Sequence, residues 1–483
     1  MTQKADFDLK LTGGWIADGT GGPRWCADIG IASARIAAVG DLDNFCASQN
    51  IDCRGRVVAP GFIDIHTHDD RVVLDAPEAV AKVSQGVTTV VIGNCGVSLA
   101  PLAPSGAPPP PFDLLGDPSG FEFPSVDAYR SRVTAQPAAV NVVALVGHGS
   151  LRLDYMSALD RPATDPELSA MRDGLQRALR QGASGLSTGL AYAPSQAATT
   201  DEVIALARVA AAEGGFYATH MRDEADGVAE ALEEALWIGR SARIPVLISH
   251  HKVMGPQNFG RSLKTLARIE RARREQSVAL DCYPYAASST VLRPERCDGS
   301  IRILVTWSRT HPEQAGRDLA TIAAAWGCSE SEAAERLTPA GAVYFAMDEG
   351  DLRRILSFSD TMIGSDGLPH DNHPHPRLWG TFPRVLGHYA RELGLLSLEE
   401  AVHRMTALPA ATLGLHDRGV IRKGAVADLT VFDPERIADR ASYAHPTTTS
   451  GGIELVVTNG EPVWQAGAAT GRLPGQFLQG VTA

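Results

Sequence analysis

Short apolar runs recur along the middle of this chain, at 57–66, 88–95, 141–147, 183–190, 215–220, 245–250, 279–284 and 361–366. Their length and nearly unbroken apolarity are those of strands buried on both faces. Helix signals lie between several of them. Thr164 and Glu167 form a capping box with Pro166 in the first turn. Leu168, Met171, Leu175 and Leu179 then share one face, and Gly182 follows the last turn. Thr199 and Glu202 open a second helix that ends at Gly214-Gly215, and Val228, Leu232 and Leu236 keep helical spacing in a third. Strands alternating with helices in this way predict a (β/α)8 TIM-like barrel over 59–416. A doubly wound open sheet competes, but no Gly-x-Gly-x-x-Gly turn follows the first strand.

Both ends of the chain have a different texture. Residues 6–58 and 417–470 consist of short strand-like pieces and turns, with Asn459-Gly460 a strong hairpin signal. Neither end is long enough to make a well-packed unit alone. Together, 1–58 and 417–483 are expected to pair into one small β-barrel or sandwich domain. The gap between the seventh and eighth runs exceeds a normal crossover. An inserted lid subdomain at about 286–350 is expected there, and the Pro-rich stretch 101–112 reads as a surface excursion.

A chain of 483 residues, 44% of them apolar, can bury a large core. A net charge of −12 argues against nucleic acid or an anionic membrane surface as partner. The seven cysteines are scattered and include no C-x-x-C pair, which fits a reducing compartment. The first residues lack an apolar signal core, and no long uncharged stretch could span a bilayer. The expectation is a soluble, cytoplasmic protein, its oligomeric state left open.

In such a barrel, reactive groups gather at the C-terminal ends of the strands. Those ends carry His66 and His68, Asn94-Cys95-Gly96, Gly147-His148-Gly149, Thr219-His220, Ser249-His250-His251-Lys252, Tyr283-Pro284-Tyr285 and Gly364-Ser365-Asp366. His66 and His68 are two residues apart and so share a strand face. Neutral imidazoles from His66, His68, His220 and His250 suit zinc, and Cys95 as thiolate could bridge two ions. This chemistry fits hydrolysis of an amide, which needs an activated water and a polarised carbonyl. Asp366 is the natural general base, then acid.

The runs Pro60-Gly61-Phe62-Ile63-Asp64-Ile65-His66-Thr67-His68 and Gly424-Ala425-Val426-Ala427-Asp428-Leu429-Thr430-Val431-Phe432-Asp433 resemble the amidohydrolase superfamily. Within it, Gly93-Asn94-Cys95-Gly96, Tyr217-Ala218-Thr219-His220-Met221-Arg222-Asp223-Glu224, Ile248-Ser249-His250-His251-Lys252 and Gly364-Ser365-Asp366-Gly367-Leu368-Pro369-His370 resemble the N-acyl-D-amino-acid deacylases. So does His375-Pro376-Arg377-Leu378-Trp379-Gly380-Thr381-Phe382-Pro383. The resemblance implies a tight zinc on Cys95, His220 and His250, and a weaker second position on His66 and His68. It implies Asp366 as the catalytic base and an N-acyl-D-amino acid as substrate. Many amidohydrolases bridge their metals through a carboxylated lysine on the fourth strand. Residues 182–190 hold no lysine, and Cys95 supplies the anion instead.

A free substrate carboxylate calls for a cationic clamp. Lys252 and Arg377, with Tyr283, are the candidates and match carboxylate-binding positions in similar enzymes. His148 is a candidate for polarising the carbonyl. Arg222, Asp223 and Glu224 are expected to orient metal ligands. Tyr344 and Met347 of the insertion are expected to form an apolar wall, favouring substrates such as N-acetyl-D-methionine. Ala191 and the charges at Arg293 and Arg296 leave room for acidic derivatives, N-acyl-D-glutamate or N-acyl-D-aspartate. A hydantoinase-like cyclic amidohydrolase and an inactive, assembly-forming relative remain as alternatives.

Overall fold

The computed structural model describes residues 5–104, 106–117 and 120–480. Residues 1–4, and with them the start of the expected signal-free N-terminus, lie outside the described residues. Five strands open the chain: β1 (Phe7–Ile16), β2 (Trp25–Ala32), β3 (Arg35–Gly40), β4 (Ala47–Asp52) and β5 (Val57–Pro60). The barrel strands follow: β6 (Phe62–Asp64), β7 (Val87–Ile92), β8 (Asn141–Gly147), β9 (Gly185–Gly189), β10 (Phe216–His220), β11 (Val246–Ile248) and β12 (Val278–Cys282). Then come β13 (Ser288–Val291), β14 (Ile303–Ser308), β15 (Ala340–Tyr344) and the last barrel strand, β16 (Thr361–Ile363). The chain closes with β17 (Leu429–Phe432), β18 (Ile453–Thr458), β19 (Glu461–Gln465), β20 (Ala468–Ala469) and β21 (Phe477–Leu478).

Strands β6 to β12 and β16 pair in sequence order, every ladder parallel, into a nearly closed barrel. Period-two alternation sorts their side chains. Ile63, Ile65, Val91, Val143, Leu145, Ala218, Leu247 and Met362 fill the interior, plugged from below by Ala410 and Leu413. Val90, Ile92, Val142, Ala144, Val246, Ile248 and Ile363 face outward onto the helices. The helix Asp165–Arg180 begins at the Thr164–Glu167 capping box. Thr199 caps the helix Thr200–Ala212, but Glu202 does not return the bond; its carboxylate faces His148 and Arg152 instead.

The first apolar run is not one strand. It breaks at Gly61, where an added Cβ would lie 2.2 Å from Thr88 Oγ1. On one side β5 joins the small sheet, so that sheet runs past the expected boundary at 58. On the other side β6 begins the barrel. The small sheet follows the order β20-β19-β18-β17-β5-β1-β2-β3, with β4 beside β1, and so draws on both chain ends. Its core holds Leu9, Leu11, Ile29, Ile31, Val58, Val431 and Leu455. Asn459 and Gly460 both take positive φ in the β18–β19 hairpin, as the turn chemistry requires. The chain then returns to the barrel, with β21 beside β8. Between β12 and β16, strands β13, β15 and β14 form a separate antiparallel sheet, with helices Leu319–Trp326 and Glu330–Leu337 packed on it. No helix among the described residues is long and apolar enough to cross a membrane.

Phe62 joins the barrel to its neighbours. Fully buried, it stacks on Phe382 at 5.7 Å and lies 6.5 Å from Phe432 of β17. Replacing Phe62 by alanine is expected to cost about 3–5 kcal/mol, read as a lowered midpoint of urea unfolding.

Candidate metal centre

Every strand that carries a candidate ligand delivers it to one end of the barrel. His66 and His68 follow β6, with ring centroids 5.7 Å apart. Cys95 follows β7 in a turn where Gly93 and Gly96 have positive φ, and Cys95 itself sits at φ 54°. The turn is packed too tightly for larger residues: a Cβ on Gly96 would lie 2.5 Å from the Gly189 amide nitrogen. His220 ends β10. His250, after β11, has φ 36°, and its amide donates to Asp281 Oδ1 at 2.9 Å.

The donor atoms converge. Cys95 Sγ lies 3.2 Å from His66 Nε2 and 3.3 Å from His250 Nε2. The His220 and His250 rings are 4.5 Å apart, edge to face. Asp366 Oδ1 is 3.3 Å from His68 Nε2 and 3.6 Å from His66 Nε2. Two sets of potential ligand atoms each fall within 4.8 Å of one another: His66, Cys95, His250 and Asp366, and His220, Glu224 and His250.

This donor set fits zinc. In a tetrahedral site, usual Zn–S and Zn–N bond lengths place sulfur and nitrogen about 3.6 Å apart. The observed separations are slightly shorter, so small outward movements accommodate an ion. Burial pushes the Cys95 thiol up, but His66 and His250 outweigh it and hold it well below the usual thiol value. A thiolate is the form a metal requires. Burial also lowers His220, favouring the neutral imidazole that binds metal.

Carboxylates also face the ring nitrogens and orient the imidazoles. Glu224 Oε1 is 3.1 Å from His250 Nδ1 and its Oε2 is 3.5 Å from His220. Asp281 Oδ2 is 3.5 Å from His66 Nδ1. Strand-end reading missed Asp281, because it lies within β12 and before the conspicuous Tyr283-Pro284-Tyr285. Of the expected orienting residues, Glu224 alone reaches the imidazoles. Arg222 pairs with Glu234, and Asp223 accepts from the Ala225 and Gly227 amides.

The proposed clamp is assembled but already charge-matched. Lys252 Nζ donates to Glu224 Oε1 at 2.7 Å and also lies 2.8 Å from His250 Nδ1. Arg377 is fully buried, with Nη1 2.9 Å from Asp366 Oδ2 and its guanidinium 4.5 Å from the Tyr283 ring centroid. Burial raises Asp366, yet Arg377 and then the histidines hold it well below the carboxylate range.

A cavity of about 300 Å³ opens above the candidate ligands. His68, His220, His250, Lys252 and Asp366 form its floor; Tyr344, Arg293 and Arg296 of the insertion, with Ala191, form its wall. Tyr344 is held there by its hydroxyl, which donates to Val291 O at 3.0 Å. Met347 is not on the wall; its sulfur faces the Tyr283 hydroxyl at 3.6 Å. Tyr192, which sequence reading passed over, also lines the cavity, its ring 4.9 Å from that of His220. His148 does not join the site. It opens the helix His148–Tyr155, and its Nε2 lies 2.9 Å from Glu202 in a buried group with Arg152.

The chain is similar to known proteins over nearly its whole length. A model described as "Amidohydrolase family" matches residues 49–277 and 308–464. A D-aminoacylase of Alcaligenes xylosoxydans xylosoxydans is 53% identical over 472 residues, 98% of this chain and 97% of the relative. A solved D-aminoacylase, studied for its binuclear metal centre, superposes with a TM-score of 0.96 at 52% identity, covering 98% of this chain and all of that one (100%). The N-acyl-D-glutamate deacylase of Bordetella bronchiseptica, solved with zinc and a phosphonate inhibitor, gives a TM-score of 0.95 at 52% identity, covering 99% of this chain and 100% of that one. The chain belongs to the amidohydrolase family.

Proposed function

We propose that this protein hydrolyses N-acyl-D-amino acids to a carboxylate and a free D-amino acid, with zinc as cofactor. The observation that carries this reading is the Cys95 sulfur between His66 and His250, with Asp366 Oδ1 3.6 Å from His66 and 3.3 Å from His68. Cys95, His220 and His250 would hold a zinc ion, with His66 and His68 as a weaker second position, and the metal would supply Lewis acidity toward water and an acyl oxygen. Asp366 stays ionised because Arg377 and the histidines stabilise its charge. It takes a proton from water at Oδ1 and hands it to the leaving nitrogen. Lys252 and Arg377 receive the substrate carboxylate, exchanging part of their contact with Glu224 and Asp366 for it, while the Tyr283 ring keeps Arg377 in place. Handedness follows from the relatives, whose names specify D-substrates.

Two readings of the side-chain pocket compete. Met254, Ile301 and Ala346 on the wall suit an apolar side chain of the N-acetyl-D-methionine type. A specific observation favours the acidic alternative. Arg293 and Arg296 also line the cavity, and neither has a carboxylate partner among the described residues; the Arg293 guanidinium donates only to Ala191 O. We favour N-acyl-D-glutamate or N-acyl-D-aspartate on that ground.

One panel tests both levels. Zinc-loaded protein is assayed on N-acetyl-D-methionine, its L-enantiomer, N-acetyl-D-glutamate and a hydantoin. Turnover of the D-substrates with a higher kcat/KM for the glutamate is expected. Turnover of the hydantoin alone would sink the deacylase reading, and a preference for methionine would reverse the pocket assignment. Asp366→Ala is expected to lower kcat about 10²- to 10⁴-fold with zinc content unchanged, since it removes proton transfer and no proposed ligand. Cys95→Ala is expected to lose zinc, as measured by elemental analysis; full stoichiometry in that variant would rule out the thiolate as ligand.

A further inference from the structure

The first and last barrel strands meet differently from the others. Parallel ladders join each successive pair from β6 to β16, but β6 and β16 share no ladder among the described residues. Their seam consists of an isolated bridge between Thr67 and Gly367, the Asp366 amide donating to His66 O at 2.8 Å, and the Ser365 amide donating to Asp64 Oδ1 at 2.8 Å. This weakly paired seam carries His66 and His68 on one side and Asp366 on the other.

A lysine is inserted into it. Lys82 lies on the short helix Val80–Val83 and is 1% exposed. Its Nζ donates to Asp64 Oδ2 at 2.8 Å and to Ser365 Oγ at 2.9 Å, and lies 3.1 Å from Asp69 Oδ2. Asp64 and Asp69 bracket the two histidines. Ser365 precedes Asp366, and its Oγ also accepts the Gly367 amide at 3.2 Å. Asp366 has φ 50°, a conformation that a residue with a side chain keeps only where its surroundings impose it. One ammonium thus grips both flanks of the histidine pair and the segment that presents the carboxylate.

We propose that Lys82 is a positioning residue for hydrolysis: acting through Ser365, it fixes the Asp366 carboxylate over His66 and His68. The proposal rests on the reading of Asp366 as the proton-transfer group. Neutralising two buried carboxylates would by itself justify a buried lysine, so the test needs readouts that such a role leaves unmoved.

Zinc-loaded wild type, Lys82→Met, Ser365→Ala and the double variant are compared on N-acetyl-D-glutamate and N-acetyl-D-methionine. A loss of kcat of roughly 10²-fold is expected for Lys82→Met and about tenfold for Ser365→Ala, with KM within about threefold and zinc content unchanged. The double variant is expected to lose no more than Lys82→Met alone, because both act through one contact. Losses that multiply, or a Ser365→Ala kcat within about twofold of wild type, would overturn the proposal. Ser365→Ala deletes a single oxygen and carries the test if Lys82→Met fails to fold. Hydrogen exchange of the 364–368 segment is independent of turnover. Faster exchange is expected there in both variants, and an unchanged rate counts against the proposal even if wild type hydrolyses neither substrate, a result that would instead reject the deacylase reading.

Discussion

A thiol and four imidazoles cannot share a buried space at low cost unless charge is distributed among them. Burial penalises every ionised form, yet Cys95 is held toward thiolate by His66 and His250. Bound metal would resolve the conflict better than protonated imidazoles do, because each imidazole could then offer a lone pair to a cation. The backbone records the cost of gathering these groups. Cys95, His250 and Asp366 are all non-glycine residues at positive φ, a strain of order 1–3 kcal/mol each that persists only where the surroundings over-determine it. Ladder geometry alone does not bring these donors together. Cys95, His250 and Asp366 lie beyond the ends of β7, β11 and β16, where a strained turn aims each side chain inward, whereas His220 is the last residue of β10 itself.

Charges alternate outward from this centre. Glu224 answers His250 and His220, and Lys252 answers Glu224. Arg377 answers Asp366, and Tyr283 spreads its ring beneath Arg377. Buried ions are tolerated in this arrangement because each has an opposite neighbour. The same arrangement makes the clamp exchangeable. In the proposed clamp an arriving carboxylate would substitute for a partner already present, so Lys252 and Arg377 would not have to be stripped of water.

How much of this could be read in the sequence depended on the range of the interaction. His66, His68, Cys95, His220, His250 and Asp366 were legible because a parallel barrel brings all strand ends to one rim, so sequence position near the end of an apolar run implies position in space. Asp281 and Lys82 were not, because their meaning lies in partners distant in sequence, His250 at 31 positions from Asp281 and Ser365 at 283 from Lys82. His148 shows the limit of the strand-end rule: a histidine there can open a helix and turn outward, where its partner is Glu202, a residue that the sequence marked only as part of a helix start. The break at Gly61 was invisible because both halves of the run are apolar, and only the approach of Thr88 separates them. Met347 was misjudged for a similar reason, since an insertion without regular period gives no facing for its side chains.

The insertion and the rim divide the work unequally. The candidate metal donors, Asp366 and the proposed clamp all come from the barrel, whereas Arg293, Arg296 and Tyr344 come from the inserted sheet and its loops. The two parts are not independent. Arg293 lies over the Tyr192 ring at 5.4 Å and donates to Ala191 O, while the Tyr192 hydroxyl meets Thr290 of β13 at 2.9 Å. Tyr192 in turn packs against the His220 ring. A substituent that displaces Arg293 therefore moves a side chain touching a proposed zinc ligand. Side-chain selection and the geometry of the reacting centre are mechanically joined through one tyrosine, so a change in pocket preference should be felt in the chemical step as well as in binding.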